Sequence, residues 1–224
     1  MTKVFDILSP GTRSLAARAD LAFRALLKLA VALCALGSLA HVTPAAAQVA
    51  ALYEQQDQSD QQGRRFAGSA SWRTEEVAGT RERAVRADIE IPERKMTVIL
   101  LIRRNTDRAM PATHIIEITF RLPPHFPGGA IENVPGILMK GSEQARAIAL
   151  SALAVKVTTD VFLSGLSGIE VAAALNTRLL HYQGWFDIPI VYATGNRAIL
   201  VVEKGATGER AFVDAFAAWE KRTR

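Results

Sequence analysis

From Ala84 to Leu122 apolar residues recur at every second position or gather in short branched runs, and this constrains the fold more than any other feature of the sequence. In "AVRADIEIPERKMTVILLIRR", Val85, Ala87, Ile89 and Ile91 lie on one side and Arg86, Asp88 and Glu90 on the other, which is the pattern of a half-buried strand. Pro92-Glu93-Arg94-Lys95 makes a turn, and Met96 to Ile102 is an apolar run whose shortness and branched residues suit a strand buried on both faces. The two predict an antiparallel hairpin. "HIIEITFRL" alternates again, with Ile116, Ile118, Phe120 and Leu122 inward and Glu117, Thr119 and Arg121 outward.

Similar signals run through the rest of the chain. "LAVKVTTDVFLSGL" alternates through Val155, Val157, Thr159, Val161 and Leu163 and reads as one further strand. "FDIPIVY" and "RAILVVEK" are strands around Thr194-Gly195-Asn196, where Gly and Asn tolerate positive φ. "GILMK" is a short strand, while "SEQARAIALSAL" fits either a helical turn or a loop. The Gln/Asp-rich stretch after Tyr53 has apolar residues on both sides and fits a hairpin loop better than a linker. Ser167-Gly168-Ile169-Glu170 has the spacing of a capping box, Val171, Leu175 and Leu179 recur every four residues, and Gly184 is a stop. A last amphipathic helix has Thr207 as its cap and Phe212, Ala215, Phe216 and Trp219 on one face. The expected fold is mainly β, or α+β: an antiparallel sheet or β-sandwich of about seven to nine strands with two late helices.

Residues 1–47 read as a cleavable secretory signal peptide, leaving 48–224 as a single β-rich domain. Arg13, Arg18, Arg24 and Lys28 form a basic section, Leu29 to Ala40 an apolar one, and Ala45-Ala46-Ala47 a small-residue tail suited to a cut before Gln48. The apolar section is short for a membrane span, which needs roughly 20 residues. The alternative keeps Leu29 to Ala47 as an uncleaved anchor, with the domain facing the periplasm from the inner membrane. A lipid anchor at Cys34 is excluded by Leu33, where a small residue is required. The expected location is periplasmic or secreted, with membrane contact only through an uncleaved leader.

Cys34 is the only cysteine and sits in the leader, so the domain has no disulfide, thiolate nucleophile or cysteine metal site. Of 27 Lys/Arg and 22 Asp/Glu, five and two lie in the leader, leaving 22 basic and 20 acidic residues. That near balance gives no support to nucleic-acid binding.

Candidate sites are few. In "FLSGLSGIE" the glycines do not frame Ser164 or Ser167 as a nucleophile elbow, and Ser167 is accounted for as a helix cap. The domain's histidines, His114, His125 and His181, lack metal-ligand spacing. Gly128-Gly129 lacks the surroundings of a phosphate loop, and no cofactor pattern is present. Arg103, Arg104 and Arg108 suggest a basic patch, interrupted by Asp107, and Trp185-Phe186 reads as a core anchor. The most specific stretch is "PPHFPGGAIENVPG", whose Pro and Gly residues fix a surface path. With Gly128 and Gly129 shaping it, this loop is the candidate interaction element, displaying Phe126 and Asn133. The plainer reading has Phe126 plugging the edge of the core.

The stretches "WRTEEV", "VRADIEIPERK", "RRNTD", "HIIEITFRLP", "FPGGAIENVPGILMK", "LAVKVTT", "WFDIPIVY", "RAILVVEKG" and "GERAFVDAFAAW" together resemble an uncharacterised family of exported bacterial envelope proteins, from about Tyr53 to Trp219. The resemblance implies an envelope-facing domain with no known reaction and carries over no functional residue. In some proteins of that family the domain follows a membrane segment and a longer Pro-rich spacer, whereas this chain reads as having a leader and almost no spacer. The functional expectation is a non-enzymatic binding or interaction module of the envelope whose partner is an envelope protein or polymer. The alternative is a hydrolase acting on an envelope or extracellular polymer.

Overall fold

A computed structural model describes residues 47–55, 63–80 and 82–221. Those residues form twelve strands and two α-helices. The strands are β1 (Gln48–Glu54), β2 (Arg64–Glu76), β3 (Arg83–Ile91), β4 (Met96–Arg104), β5 (Ala112–Arg121), β6 (Ile131–Asn133), β7 (Leu138–Lys140), β8 (Ile148–Ala149), β9 (Ala152–Lys156), β10 (Val161–Ser167), β11 (Trp185–Tyr192) and β12 (Arg197–Glu203). The helices are α1 (Glu170–Tyr182) and α2 (Gly205–Lys221). All strands belong to one antiparallel sheet in the order β8-β7-β11-β12-β1-β2-β3-β4-β5-β10-β9, with β6 also paired to β11. Residues 1–46, which make up nearly all of the expected leader, lie outside the described residues. Among the described residues no helix is long and apolar enough to cross a membrane.

The two ends of that path, β8 and β9, are separated in the chain only by Leu150 and Ser151. Such a link reaches about 11 Å at full extension, so the sheet has to curl until its ends approach each other. Leu150 N–H still bonds to Ile137 on the β7 side (2.9 Å), while Ser167 N–H of β10 already bonds to the Ser151 carbonyl (2.8 Å). Asn176 of α1 fixes this junction: its Oδ1 accepts the Ser151 N–H (2.8 Å) and its Nδ2 donates to the Ser151 carbonyl (2.9 Å). The amide thus stands in for a neighbouring strand at the one residue where the chain changes partners.

Curling gives the sheet an inner face, and α2 packs against it. Phe212 lies beside Trp72 of β2 (5.8 Å between ring centroids) and Phe186 of β11 (6.1 Å), and Trp72 stacks on Phe186 at 5.6 Å. Phe216 and Trp219 extend the row to His114 of β5. Both indole N–H groups are satisfied, Trp72 by the Glu203 carbonyl and Trp219 by the Arg83 carbonyl, each at 2.8 Å, as buried tryptophans require. Lys204, just before α2, is fully buried and holds α1 in place. Its Nζ donates to the Leu180 (2.9 Å) and Gln183 (3.1 Å) carbonyls at the helix end and lies over the Phe212 ring. Burial lowers this ammonium to about 8 against the opposing pull of Glu209.

The mainly antiparallel β class with two late helices is found, but the number of strands and the sandwich are not: twelve strands form one curled sheet. The hairpin after Tyr53 is present as β1–β2. Residues 152–163 are a hairpin, β9 and β10, rather than one strand. Phe162, Ser164 and Leu166 point inward instead of Val161 and Leu163, because the turn at 157–160 breaks the alternation. The capping box does not form. Ile169 is the N-cap of α1 and makes no side-chain cap bond, and the Ser167 hydroxyl accepts the Ile169 N–H instead. The buried side of α1 is Asn176, Leu179 and Leu180, whereas Val171 is 81% exposed and Leu175 faces solvent. Sheet closure sets which side of α1 is covered, and it selects Asn176. Helix α2 begins at Gly205, two residues ahead of the expected Thr207 cap. Gly205 has φ +53°, and a Cβ there would collide with Gln48.

Replacing Asn176 by Leu keeps the volume but leaves the Ser151 N–H without a partner, while the Ser151 carbonyl keeps the Ser167 N–H. Expected is a loss of roughly 1–3 kcal/mol in chemical denaturation, with faster hydrogen exchange at the Ser151 amide. Replacing the exposed Asn133 by Leu serves as the control and leaves stability nearly unchanged.

Candidate functional site

One end of the sheet gathers the residues with chemical potential. There the start of the β1–β2 loop, the β11–β12 turn and the Pro/Gly loop at 123–130 come together. On the inner side Glu54 is buried as the last residue of β1, and both its oxygens are engaged. Arg94 Nη2 lies 3.0 Å from Oε2, Arg94 Nε donates to Oε1 at 3.3 Å, and Tyr192 Oη donates to Oε1 at 2.5 Å. Burial, and then the adjoining carboxylate, push the Tyr192 phenol far above its ordinary value. The Arg94 guanidinium also stands over two rings, Phe126 (4.7 Å) and Phe66 (5.0 Å), and Arg64 covers Phe66 from 4.7 Å. Between these groups is a polar cleft of about 350 Å³ bordered by Gln55, Arg64, Pro127, Gly128 and Asn196. Gly128 is required there because the loop lies flush on Tyr192: a Cβ would sit 2.7 Å from that ring and 2.9 Å from Phe126.

A larger groove, about 600 Å³, lies beside the same end of β1 and shares Glu54 and Gln55 with the cleft. Tyr53, Pro135, Pro189, Val191 and Ile199 supply its apolar surface, and Arg197 is its cationic member. The register explains why a groove forms. β11 pairs with β7 up to Asp187↔Leu138 and with β6 from Val191↔Asn133, so Ile188, Pro189 and Ile190 face the break between those strands. Pro189 has no N–H to offer a missing partner and is tolerated in a strand only at such a place. Pro135, within the break, likewise lacks a donor. Tyr53 is fixed at the rim: its hydroxyl donates to Glu143 at 2.6 Å and accepts from Arg65 Nε at 3.1 Å.

Of the loop residues singled out from sequence, Phe126 is 6% exposed and packs on Tyr192 and Arg94. It is not displayed, which corrects the exposure expected of it and matches the plainer reading in which its ring closes the edge of the core. Gly128 is buried and borders the cleft, while Gly129 and Asn133 are exposed and line neither cavity. The loop shapes the cleft through Pro127 and Gly128. Ser164 is buried in β10, His114 is in ring contact with Trp219, and His125 is exposed with φ +62°; none of the three lines either cavity. His181 stacks on Phe216. Arg104 pairs with Glu82 at 3.5 Å instead of standing in an open basic patch. Among the described residues no group of three or more His, Cys, Asp or Glu is arranged to hold a metal ion.

Sequence reasoning missed Glu54, Tyr192, Pro189 and Arg197. The one available signal was the proline inside "FDIPIVY", which marks a strand position without a second partner. Comparison of the chain with family models, with curated proteins and with solved structures finds no match in any of the three.

His114 gives a measurable consequence of the packing at α2. Burial, and then the charge of Arg104 opposite it, lower this imidazole from 6.5 to about 4. The unfolded chain therefore takes up a proton on this histidine between pH 6.5 and 4 that the folded chain refuses. The stability that His114 contributes is fully present above pH 6.5 and is lost as pH falls towards 4. Expected for His114→Gln is a flatter stability profile across that window, by an amount on the order of 1–3 kcal/mol at its acidic end, read by urea denaturation at a series of pH values.

Proposed function

We propose that the chain is an exported, non-enzymatic binding module of the bacterial envelope, and that its ligand occupies the apolar groove at Tyr53, Pro189 and Ile199. The groove carries this reading. At about 600 Å³ it has the size and the mainly apolar walls of a small-molecule site, and it sits on a sheet whose strand break makes it part of the scaffold. Export is supported by the order of basic, apolar and small-residue sections in residues 1–47. A polymer hydrolase would instead draw a serine, a histidine and a carboxylate together at a cavity wall.

Two outcomes are expected. N-terminal sequencing of the exported protein starts at or within a few residues of Gln48; retention of Met1 in a membrane fraction favours the anchored form. Immobilised protein incubated with native envelope extract captures a small molecule seen by mass spectrometry, and Ile199→Asp, which places a charge on an exposed groove wall, releases it without lowering the thermal midpoint. Equal capture by that variant removes the groove from consideration.

A further inference from the structure

We infer that the groove takes an amphipathic carboxylate, with its alkyl body against Tyr53, Pro189, Val191 and Ile199 and its carboxylate on the guanidinium of Arg197. The inference rests on the groove being the ligand site and adds the chemistry of the ligand.

The charged side chains lining the groove among the described residues are Glu54 and Arg197. Glu54 is neutralised: two nitrogens of Arg94 and the Tyr192 hydroxyl hold its two oxygens, and its side chain is 8% exposed. It neither repels an anion strongly nor has a free oxygen for a cation. Arg197 is the opposite case. It is exposed as the first residue of β12, and its carbonyl accepts the Gln55 N–H at 2.9 Å. Among the described residues, its guanidinium has no carboxylate or hydrogen-bond partner. Arg64, Arg65, Arg73, Arg86, Arg94 and Arg104 all contact a carboxylate. Among the described residues, the groove therefore carries one positive charge without a carboxylate partner, next to an apolar wall.

A guanidinium presents two parallel N–H donors, which match a carboxylate better than any neutral polar group does. The pair gains strength where the ligand's own apolar body keeps water away. The missing N–H groups at Pro135 and Pro189 leave little along the floor for a polar body to bond with. An alkyl chain asks for nothing there and gains from leaving water. The volume of about 600 Å³ accommodates a medium-length chain.

The test uses the mature chain and three probes below their aggregation limits: octanoate, 1-octanol and acetate, titrated calorimetrically at neutral pH. Octanoate is expected to bind at least about tenfold more tightly than octanol or acetate. Arg197→Gln should bring octanoate down to the level of octanol while leaving octanol unchanged, and Arg197→Lys should restore part of the difference. Unchanged thermal midpoints confirm that these exposed replacements leave the fold intact. Octanoate binding no tighter than octanol, or unaffected by Arg197→Gln, overturns the carboxylate inference. If Ile199→Asp then abolishes the binding of both alkyl probes, the groove itself survives as the ligand site. Octanoate that binds Ile199→Asp as well as it binds the wild type overturns the inference and the groove together. Failure of all three probes overturns the inference alone, since capture from envelope extract tests the groove independently.

Discussion

A sheet that curls until its ends meet must have its interior filled, and the aromatic side of α2 against Trp72 and Phe186 does this. Phe212, Phe216 and Trp219 present large rings at helical spacing, and each meets another ring within about van der Waals reach. With that row in place the inward residues of β2, β3, β5 and β11 have a common partner. The curl then brings β8 and β9 close enough for two residues to join them. Asn176 and Lys204 complete the arrangement by satisfying backbone groups at the two places where regular pairing stops: the seam at Ser151 and the end of α1. Both are buried polar side chains, and each bonds to backbone groups that would otherwise lack a partner.

The binding surfaces follow from imperfections in the same sheet. A continuous partner strand along β11 would cover Ile188 to Ile190 and leave no groove. Pro135 and Gly136 interrupt that partner between β6 and β7, and Pro189 occupies the gap. The polar cleft arises across the same strand ends, where Glu54, Arg94 and Tyr192 form a buried network between Phe66 and Phe126. The network locks the end of β1 to the β11–β12 turn, so the groove and the cleft share a rigid wall at Glu54. In the proposed ligand mode the network's part is electrostatic: by neutralising Glu54 it leaves Arg197 to set the sign of the groove.

Strand identity was legible wherever period-two patterning was strong. Val85 to Ile91 and Ile116 to Phe120 lie as the pattern placed them, because a strand with one buried side has little freedom in register. Met96 to Ile102 is a strand as expected, but only its Met96, Val98, Leu100 and Ile102 side is buried, while Ile99 and Leu101 are half-buried instead of forming a second buried face. The pattern failed at 152–163, where a turn of Thr and Asp residues continued the apolar alternation by chance. It failed again on α1, where the exposed Val171 and Leu175 imitate a buried stripe. In the Pro/Gly loop the composition left Phe126 either displayed or closing the edge of the core; it lies inside, against Tyr192 and Arg94, both far away in sequence.

The sequence by itself determined a disulfide-free, mainly antiparallel β domain with two late helices, since side-chain alternation and helical spacing are local properties of the chain. It also determined the docking side of α2, whose aromatic residues had no other way to leave water. The tertiary structure alone decided that the strands form one curled sheet and that its ends meet at Ser151. It alone placed Glu54, Pro189 and Arg197 around one groove, and Glu54 and Tyr192 around the adjoining cleft. Those four come from β1, β11 and β12, and their proximity depends on antiparallel register and on the break between β6 and β7. Such long-range pairings are selected by burial and closure of the whole sheet, and no short stretch of sequence encodes them.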